Sequence, residues 1–268
     1  MTKTELNIHF SEELDRGFAY GEACFETFRV IDGEIFGWPQ HAARLTSGLA
    51  EFGITLGDEQ MASVYQQALR AAASSGGSAL VRITVSGGLA AWGLRSASKG
   101  VDIYIQSQPY APSGEPVVLQ SVNWPFALKP RGAKFSSDYS DTLRAYQLWK
   151  NEGMEASVMP LICSDGIILS TMTANVMIYY DEKWYTPECE SGGVLAGVIR
   201  NHLVTHAAVH VVECLQIWTD QCEAMALTNS GFFVQPVSSI DGRVLDVNHD
   251  AFELLYQSLR GEKGVPEL

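Results

Sequence analysis

The segment Pro109-Tyr110-Ala111-Pro112-Ser113-Gly114 limits what this chain can become. Its two prolines lack an amide donor and its glycine is unrestrained, so neither a helix nor a strand is expected to run through it. Residues 109–114 are the best linker candidate, between 1–108 and 115–268, and 268 residues suffice for one large or two modest domains, each with its own core. In the first part, the glycine and aromatic residues from Phe18 lead into a strand that ends at Val30. Asp32-Gly33 is a hairpin turn, and Glu34 to Trp38 is the returning strand. Pro39 opens a helix carrying His41, Arg44 and Leu45, and a second amphipathic helix runs from Asp58 to Ala73. Ala79–Val85 and Val101–Gln106 read as strands on either side of a Gly-, Ala- and Ser-rich loop from Ser86 to Gly100.

In the second part, Val117–Val122 is a strand. A helix after Lys134 carries Tyr139, Leu143, Tyr146 and Trp149 at helical spacing and closes at Asn151-Glu152-Gly153. Ser157–Cys163 and Ile167–Leu169 flank Asp165-Gly166, and Val176–Tyr180 and Lys183–Tyr185 flank Asp181-Glu182. Gly192-Gly193 leads into a helix from Val194 to Val209. Val211–Ile217 reads as a strand, Glu223–Leu227 and Phe232–Val237 surround Thr228-Asn229-Ser230-Gly231, and Asn248–Arg260 is the last helix.

Charge narrows the function. Eighteen basic against 31 acidic residues give a net charge of −13, which argues against nonspecific binding to nucleic acid or an anionic membrane. An anionic ligand must then be met by locally placed donors. The five cysteines (Cys24, Cys163, Cys189, Cys214, Cys222) are odd in number and scattered. They lack metal-ligand spacing, so no metal site is expected, and buried thiols in a reducing compartment are. The N-terminus has no signal-like apolar stretch and no segment is long enough to span a bilayer, so a cytoplasmic protein is expected.

The stretch from Arg131 to Leu143 concentrates the chemistry. Lys134 follows a glycine in a polar, small-residue run, and Ser137 and Asp138 stand as caps of the next helix. A lysine held at a helix mouth can be fixed and partly desolvated, as a Schiff-base lysine requires, because its amine must shed a proton near neutral pH to attack a carbonyl. Of the other lysines, Lys3, Lys99, Lys150, Lys183 and Lys263 lie at termini, loops or helix ends, and Lys129 lies five residues early. Gly197 stands near the start of a helix whose free amides suit an anion, with Val198 and Ile199 supplying backbone donors only. Thr228-Asn229-Ser230-Gly231 offers three polar side chains and a flexible glycine. Arg44, three residues after His41, is a surface cation or a phosphate donor.

In this order the pieces resemble the class IV (fold type IV) aminotransferase-like family of pyridoxal-phosphate enzymes, over Asp15 to about Leu245. Asp15 to Thr27 is similar to the family's opening motif. His41-Ala-Ala-Arg44-Leu45 resembles its His-x-x-Arg-Leu, and Gly132-Ala-Lys134 its lysine segment. Leu195-Ala-Gly197-Val198-Ile199-Arg200 resembles its phosphate loop, and Leu227-Thr-Asn-Ser230 its last phosphate contact. The resemblance implies an α+β fold in two domains, a smaller one ending near Gln108 and a larger one starting near Glu115, with pyridoxal phosphate between them and two copies forming a homodimer. It implies a small-molecule amino substrate and a catalytic Lys134. It further implies that Arg44, Asn229, Ser230 and the amides of Val198 and Ile199 hold the cofactor, that Ser170 faces the ring nitrogen, and that Tyr139 contacts the ring oxygen. Pro236-Val237, Ile240-Asp241-Gly242-Arg243 and Arg29-Val30-Ile31-Asp32-Gly33 look most like the branch that acts on 4-amino-4-deoxychorismate, releasing pyruvate and 4-aminobenzoate for folate synthesis. Tyr139 is instead similar to the branched-chain aminotransferases. Transamination of a branched-chain or D-amino acid is therefore the alternative, and a family member with altered or lost activity and a binding role is a further one.

Two departures bear on the choice. Ser170 stands where the family has a glutamate that keeps the ring nitrogen protonated, and a serine supplies no counter-charge. That weakens reversible transamination more than an elimination drawn forward by aromatisation. In the loop from Ser86, Trp92 occupies roughly the place of a substrate-binding arginine, and Arg95 is the nearby substitute.

Overall fold

The computed structural model describes residues 9–76, 78–190 and 192–267. Lys3 and the rest of the N-terminal segment read above lie outside them, as does Gly77 of the turn after the second helix.

The first sheet has four strands. β1 (Glu13–Asp15) and α1 (Arg16–Tyr20) precede β2 (Ala23–Ile31), which turns at Asp32-Gly33 into the short β3 (Glu34–Ile35). The helices α2 (Trp38–Glu51) and α3 (Asp58–Ser74) follow, then β4 (Ala79–Ser86), β5 (Leu89–Ala91) and β6 (Asp102–Pro109). The antiparallel order is β3-β2-β4-β6. Period-two alternation sorts each strand by face. Cys24, Phe28 and Val30 of β2 and Val81, Ile83 and Val85 of β4 pack against Leu45 and Leu49 of α2 and Val64, Ala68 and Ala72 of α3. Phe25 and Thr27, with Leu80 and Arg82 opposite, remain on the other face.

The second sheet has nine strands. β7 (Val117–Asn123) and α4 (Asp138–Asn151) lead to β8 (Met159–Ser164), β9 (Ile167–Ser170), β10 (Asn175–Tyr180) and β11 (Lys183–Pro187). After α5 (Val198–His206) come β12 (His210–Val212), β13 (Ala224–Asn229), β14 (Phe233–Ile240), β15 (Arg243–Val244) and α6 (Phe252–Leu259). The order is β12-β11-β10-β13-β14-β7-β8-β9, with β15 on β14. The central strands are apolar in succession because both their faces are covered. Met177, Ala224 and Ala226 meet α5 and α6, and Val176, Ile178, Met225 and Leu227 meet a second core on the far side. Among the described residues no helix is long and apolar enough to cross a membrane.

Several elements are shorter than their patterns predict. The return strand stops at Ile35 because Gly37 turns at φ 63° and Pro39 lies in the first turn of a helix that begins at Trp38. The helix expected from Val194 to Val209 spans only Val198–His206: Gly192 and Gly193 are left-handed and Gly197 is extended, while Ala208 at φ 48° ends it. The strand expected over Val211–Ile217 ends at Val212, and Gln216–Asp220 coils into a 3-10 turn. The last helix starts at Phe252 rather than Asn248. The loop from Ser86 contains β5, paired with β1.

Candidate active site

Lys134 is held by β2 rather than by a helix mouth. The amide of Phe25 donates to the Lys134 carbonyl (3.0 Å) and that of Ser136 to the Ala23 carbonyl (2.9 Å), so the lysine segment adds itself to the strand edge. Buried Ala133 seats the segment on Gly48 of α2, where a Cβ would come within 2.6 Å of the alanine methyl. Ser137 stands at the N-cap of α4 but makes no side-chain capping bond. The Lys134 ammonium lies 5.5 Å from the Phe25 ring centroid and opens into a cavity of about 330 Å³. Burial is the main force pushing its pKa down, Glu26 opposes, and Arg44, Arg82 and Arg131 add to the fall, to about 8. At neutral pH such an amine is free on the order of a hundredfold more often than an ordinary lysine.

All the residues assigned from sequence meet at this cavity: Arg44, Tyr139, Ser170, Val198, Ile199, Asn229 and Ser230 line it with Lys134. Arg44 comes with a partner that sequence reading did not assign. Its Nε and Nη2 donate to the two oxygens of buried Glu26 (2.7 and 2.8 Å), and its Nη1 donates to the Ala196 carbonyl (2.8 Å). Two of its five N–H groups remain for a ligand. The His41 Nδ1 lies 2.7 Å from the same carboxylate. Burial pushes the Glu26 carboxyl up, but the hydrogen bonds from Arg44 and His41 outweigh it and bring the pKa to about 2. Burial holds His41 below its ordinary range against the pull of Glu26, so a neutral ring donates Nδ1–H to an ionised carboxylate. Asn229 is likewise committed: its Oδ1 accepts from the Gly231 and Phe232 amides, which shapes the turn and leaves its side chain little to offer a ligand. Tyr139 meets Phe25 edge-on at 5.1 Å, and burial raises its phenol. Ser170 is buried at the end of β9. Lys129, the other candidate lysine, is exposed and paired with Asp141 at 2.7 Å.

Three further features fit the cavity to a phosphorylated cofactor. The first turn of α5, whose opening amides have no partner within the helix, lines the cavity through Gly197, Val198 and Ile199. A Cβ at Gly197 would lie 2.1 Å from the Asn175 Oδ1, so the approach needs glycine. Asn175 in turn donates to the Leu195 carbonyl (2.8 Å) and pins that loop. The Thr228 hydroxyl is buried at the cavity wall without a partner. Anion donors at one end and a lysine of depressed pKa suit pyridoxal phosphate.

Sequence reasoning assigned no role to Glu26, Arg82, Arg131, Asn175 or Thr228. One of them carried a signal: Arg82 is the single charge in the otherwise apolar β4, a pattern that is costly unless the charge is paired or functional. Arg82 stacks on Phe25, its Cζ 3.7 Å from the ring centroid. Trp92 is 95 % exposed and Arg95 is exposed, and neither lines the cavity. The arginine substitution expected at Arg95 is therefore not made within this chain. Among the described residues the lining holds four cations (Arg44, Arg82, Arg131, Lys134) and no carboxylate.

Comparison with known proteins agrees. A family profile described as amino-transferase class IV matches residues 23–240. The aminodeoxychorismate lyase of Bacillus subtilis (strain 168) is 24% identical over 270 residues, covering 91% of this chain and 87% of its own. The branched-chain amino acid aminotransferase of Escherichia coli superposes with a TM-score of 0.76 at 17% identity, covering 90% of this chain and 85% of its own. A hypothetical aminotransferase from Mycobacterium tuberculosis, in its PLP-bound form, superposes with a TM-score of 0.73 at 18% identity over 96% and 94% of the two chains. These structures share the mixed α+β architecture of fold type IV. The chain thus belongs to the class IV aminotransferase family and is a pyridoxal-phosphate-dependent enzyme.

Proposed function

We propose that this enzyme is a lyase acting on 4-amino-4-deoxychorismate, releasing pyruvate and leaving 4-aminobenzoate. The observation that carries the reading is the cavity wall: four cations, no carboxylate among the described lining residues, and a serine at position 170. The cations suit a substrate with two carboxylates besides the cofactor's phosphate. The missing carboxylate deprives a transaminase of the counter-charge that keeps the ring nitrogen protonated. The Bacillus subtilis relative supports the same reading.

When bound, pyridoxal phosphate supplies an electron sink for the pair left behind when a bond at the amino-bearing carbon breaks. Arg44, through its two remaining N–H groups, the Val198 and Ile199 amides and the Ser230 hydroxyl would hold its phosphate. Lys134 would carry it, yield to the substrate amine, and then move a proton at Nζ as general base and acid. Ser170 would face the ring nitrogen with a hydroxyl, and Tyr139 the ring oxygen. Glu26 is ionised and fixes Arg44 by accepting two of its N–H groups. Departure of pyruvate from a ring that becomes aromatic favours the elimination without strong help from the sink.

Tyr139 favours a second reading, transamination of a small amino acid. The purified holoenzyme, given 4-amino-4-deoxychorismate, is expected to form pyruvate and fluorescent 4-aminobenzoate in equal amounts. Amino-group transfer from branched-chain or D-amino acids, with no pyruvate from the chorismate derivative, would replace the lyase by the transaminase. The reading includes a homodimer, and the exposed Phe18, Trp92 and Leu94 offer apolar surface for a second copy. Sedimentation velocity measures it.

A further inference from the structure

We propose that Arg131 is the specificity-determining residue that receives the second carboxylate of a dicarboxylate substrate, in place of the arginine absent from the Ser86–Gly100 loop. The inference rests on the lyase reading and names the group that selects its substrate class.

Four observations place Arg131 in this role. It stands three residues before Lys134, next to a segment fixed to β2 and α2, so the backbone keeps its main chain near that of the reacting lysine. It lines the main cavity together with Lys134, Tyr139 and Ser170. Among the described residues it has no ion-pair or hydrogen-bond partner on its guanidinium, although Arg16, Arg44, Arg144 and Arg260 all pair with acids. Its charge is felt by both the Lys134 amine and the Tyr139 phenol, so it stands close to the reacting groups.

The other cations are less available. Arg44 spends its fork on Glu26, and Arg82 lies over the Phe25 ring with its Nε donating to the Thr84 hydroxyl (3.2 Å). Arg131 also lines a smaller adjoining cavity of about 30 Å³, with Ser170, Asp138 and Asp141. Asp141 is taken by Lys129 and Arg144, and Asp138 makes no side-chain bond to Arg131. The guanidinium is thus held near an acid but not consumed by it. A planar fork of this kind binds a carboxylate through two parallel hydrogen bonds, which lysine does not reproduce.

The test uses the holoenzyme with isophthalate, an aromatic dicarboxylate, and benzoate, its monocarboxylate counterpart. Dissociation constants are read from the change in the cofactor's absorption band. Wild type is expected to prefer isophthalate. Arg131→Gln is expected to lose about tenfold or more in isophthalate affinity, the scale of a lost charge-assisted hydrogen bond, while keeping its affinity for benzoate and for pyridoxal phosphate. Arg131→Lys is expected to recover part of the loss, and Arg95→Gln to bind as wild type does. Equal loss for both acids, no loss in Arg131→Gln, or the loss appearing in Arg95→Gln would overturn the assignment, the last by showing that the loop of a second copy supplies the arginine. The two readings fail separately. Discrimination lost in Arg131→Gln without pyruvate formation by wild type sinks the lyase and keeps the receptor. Pyruvate formation with an unchanged KM in Arg131→Gln keeps the lyase and sinks the receptor.

Discussion

The chemistry of the site depends on how burial and charge divide among a few side chains. Lys134 is kept near pH 8 by burial and three arginines, with Glu26 as the opposing charge. Reaction of the cofactor-free protein with pyridoxal phosphate should therefore rise with pH through about 8 rather than at the pH of an ordinary lysine. Stopped-flow absorbance checks this, and Lys134→Ala should abolish the borohydride-stable product. Glu26→Gln should move the profile lower, since the raising charge is gone. It should also cost about 3–5 kcal/mol of stability, because it leaves the buried Arg44 and His41 donors without their anion. Ser170→Glu tests the missing counter-charge. If the serine is what restrains transamination, the variant should exchange amino groups with simple amino acids faster than wild type, read as the rate at which an amino donor bleaches the cofactor band. Lys134, Arg44, Ser170, Tyr139 and Ser230 were picked out by resemblance to the family's short motifs, and the structure brings all five to one cavity. Glu26 was not picked out, because its partners lie 15 and 18 residues away and meet it only when α2 packs on β2.

At the scale of elements, two glycines shape the start of α5 beside the cavity. Gly37 caps α2 at φ 63°, and a Cβ there would lie 2.4 Å from the Val198 Cγ1, so the helix start in the first sheet is packed onto the helix start in the second. Gly197 meets Asn175 at a distance that no side chain tolerates. Gly197→Ala should displace Asn175, release the Leu195 carbonyl and move the Val198 and Ile199 amides. Cofactor affinity should fall by an order of magnitude or more, roughly the loss of one or two hydrogen bonds to a charged group, with a smaller change in the thermal midpoint of the cofactor-free protein. Equilibrium dialysis and calorimetry separate the two. The run from Val194 to Val209 predicts a helix nearly twice as long as α5 (Val198–His206). Left-handed glycines before it and Ala208 after it shorten the helix, so its first turn begins at the cavity wall.

For the whole molecule, the Glu26 cluster joins β2, α2 and, through the Ala196 carbonyl, the loop before α5, so its ionisation is a stability element for both sheets. Its folded pKa of about 2 lies below the ordinary 4.5. The stabilisation is then fully present above the unfolded value and is lost as pH falls from there toward 2. Denaturant midpoints should drop over that acid range in wild type and much less in Glu26→Gln. What the sequence determined by itself was local: strands by alternation, turns at Asp32-Gly33, Asp165-Gly166 and Asp181-Glu182, the break after Pro109, and motifs whose residues are neighbours in the chain. Tertiary structure alone decided which further charges join Lys134 and Arg44 at the cavity. Arg82 is turned there by the register of β4 on β2, Arg131 by the strand edge that holds Lys134, while Trp92 and Arg95 are carried away into solvent with the loop that follows β5. Periodicity specifies a face of an element, but only packing specifies what that face meets.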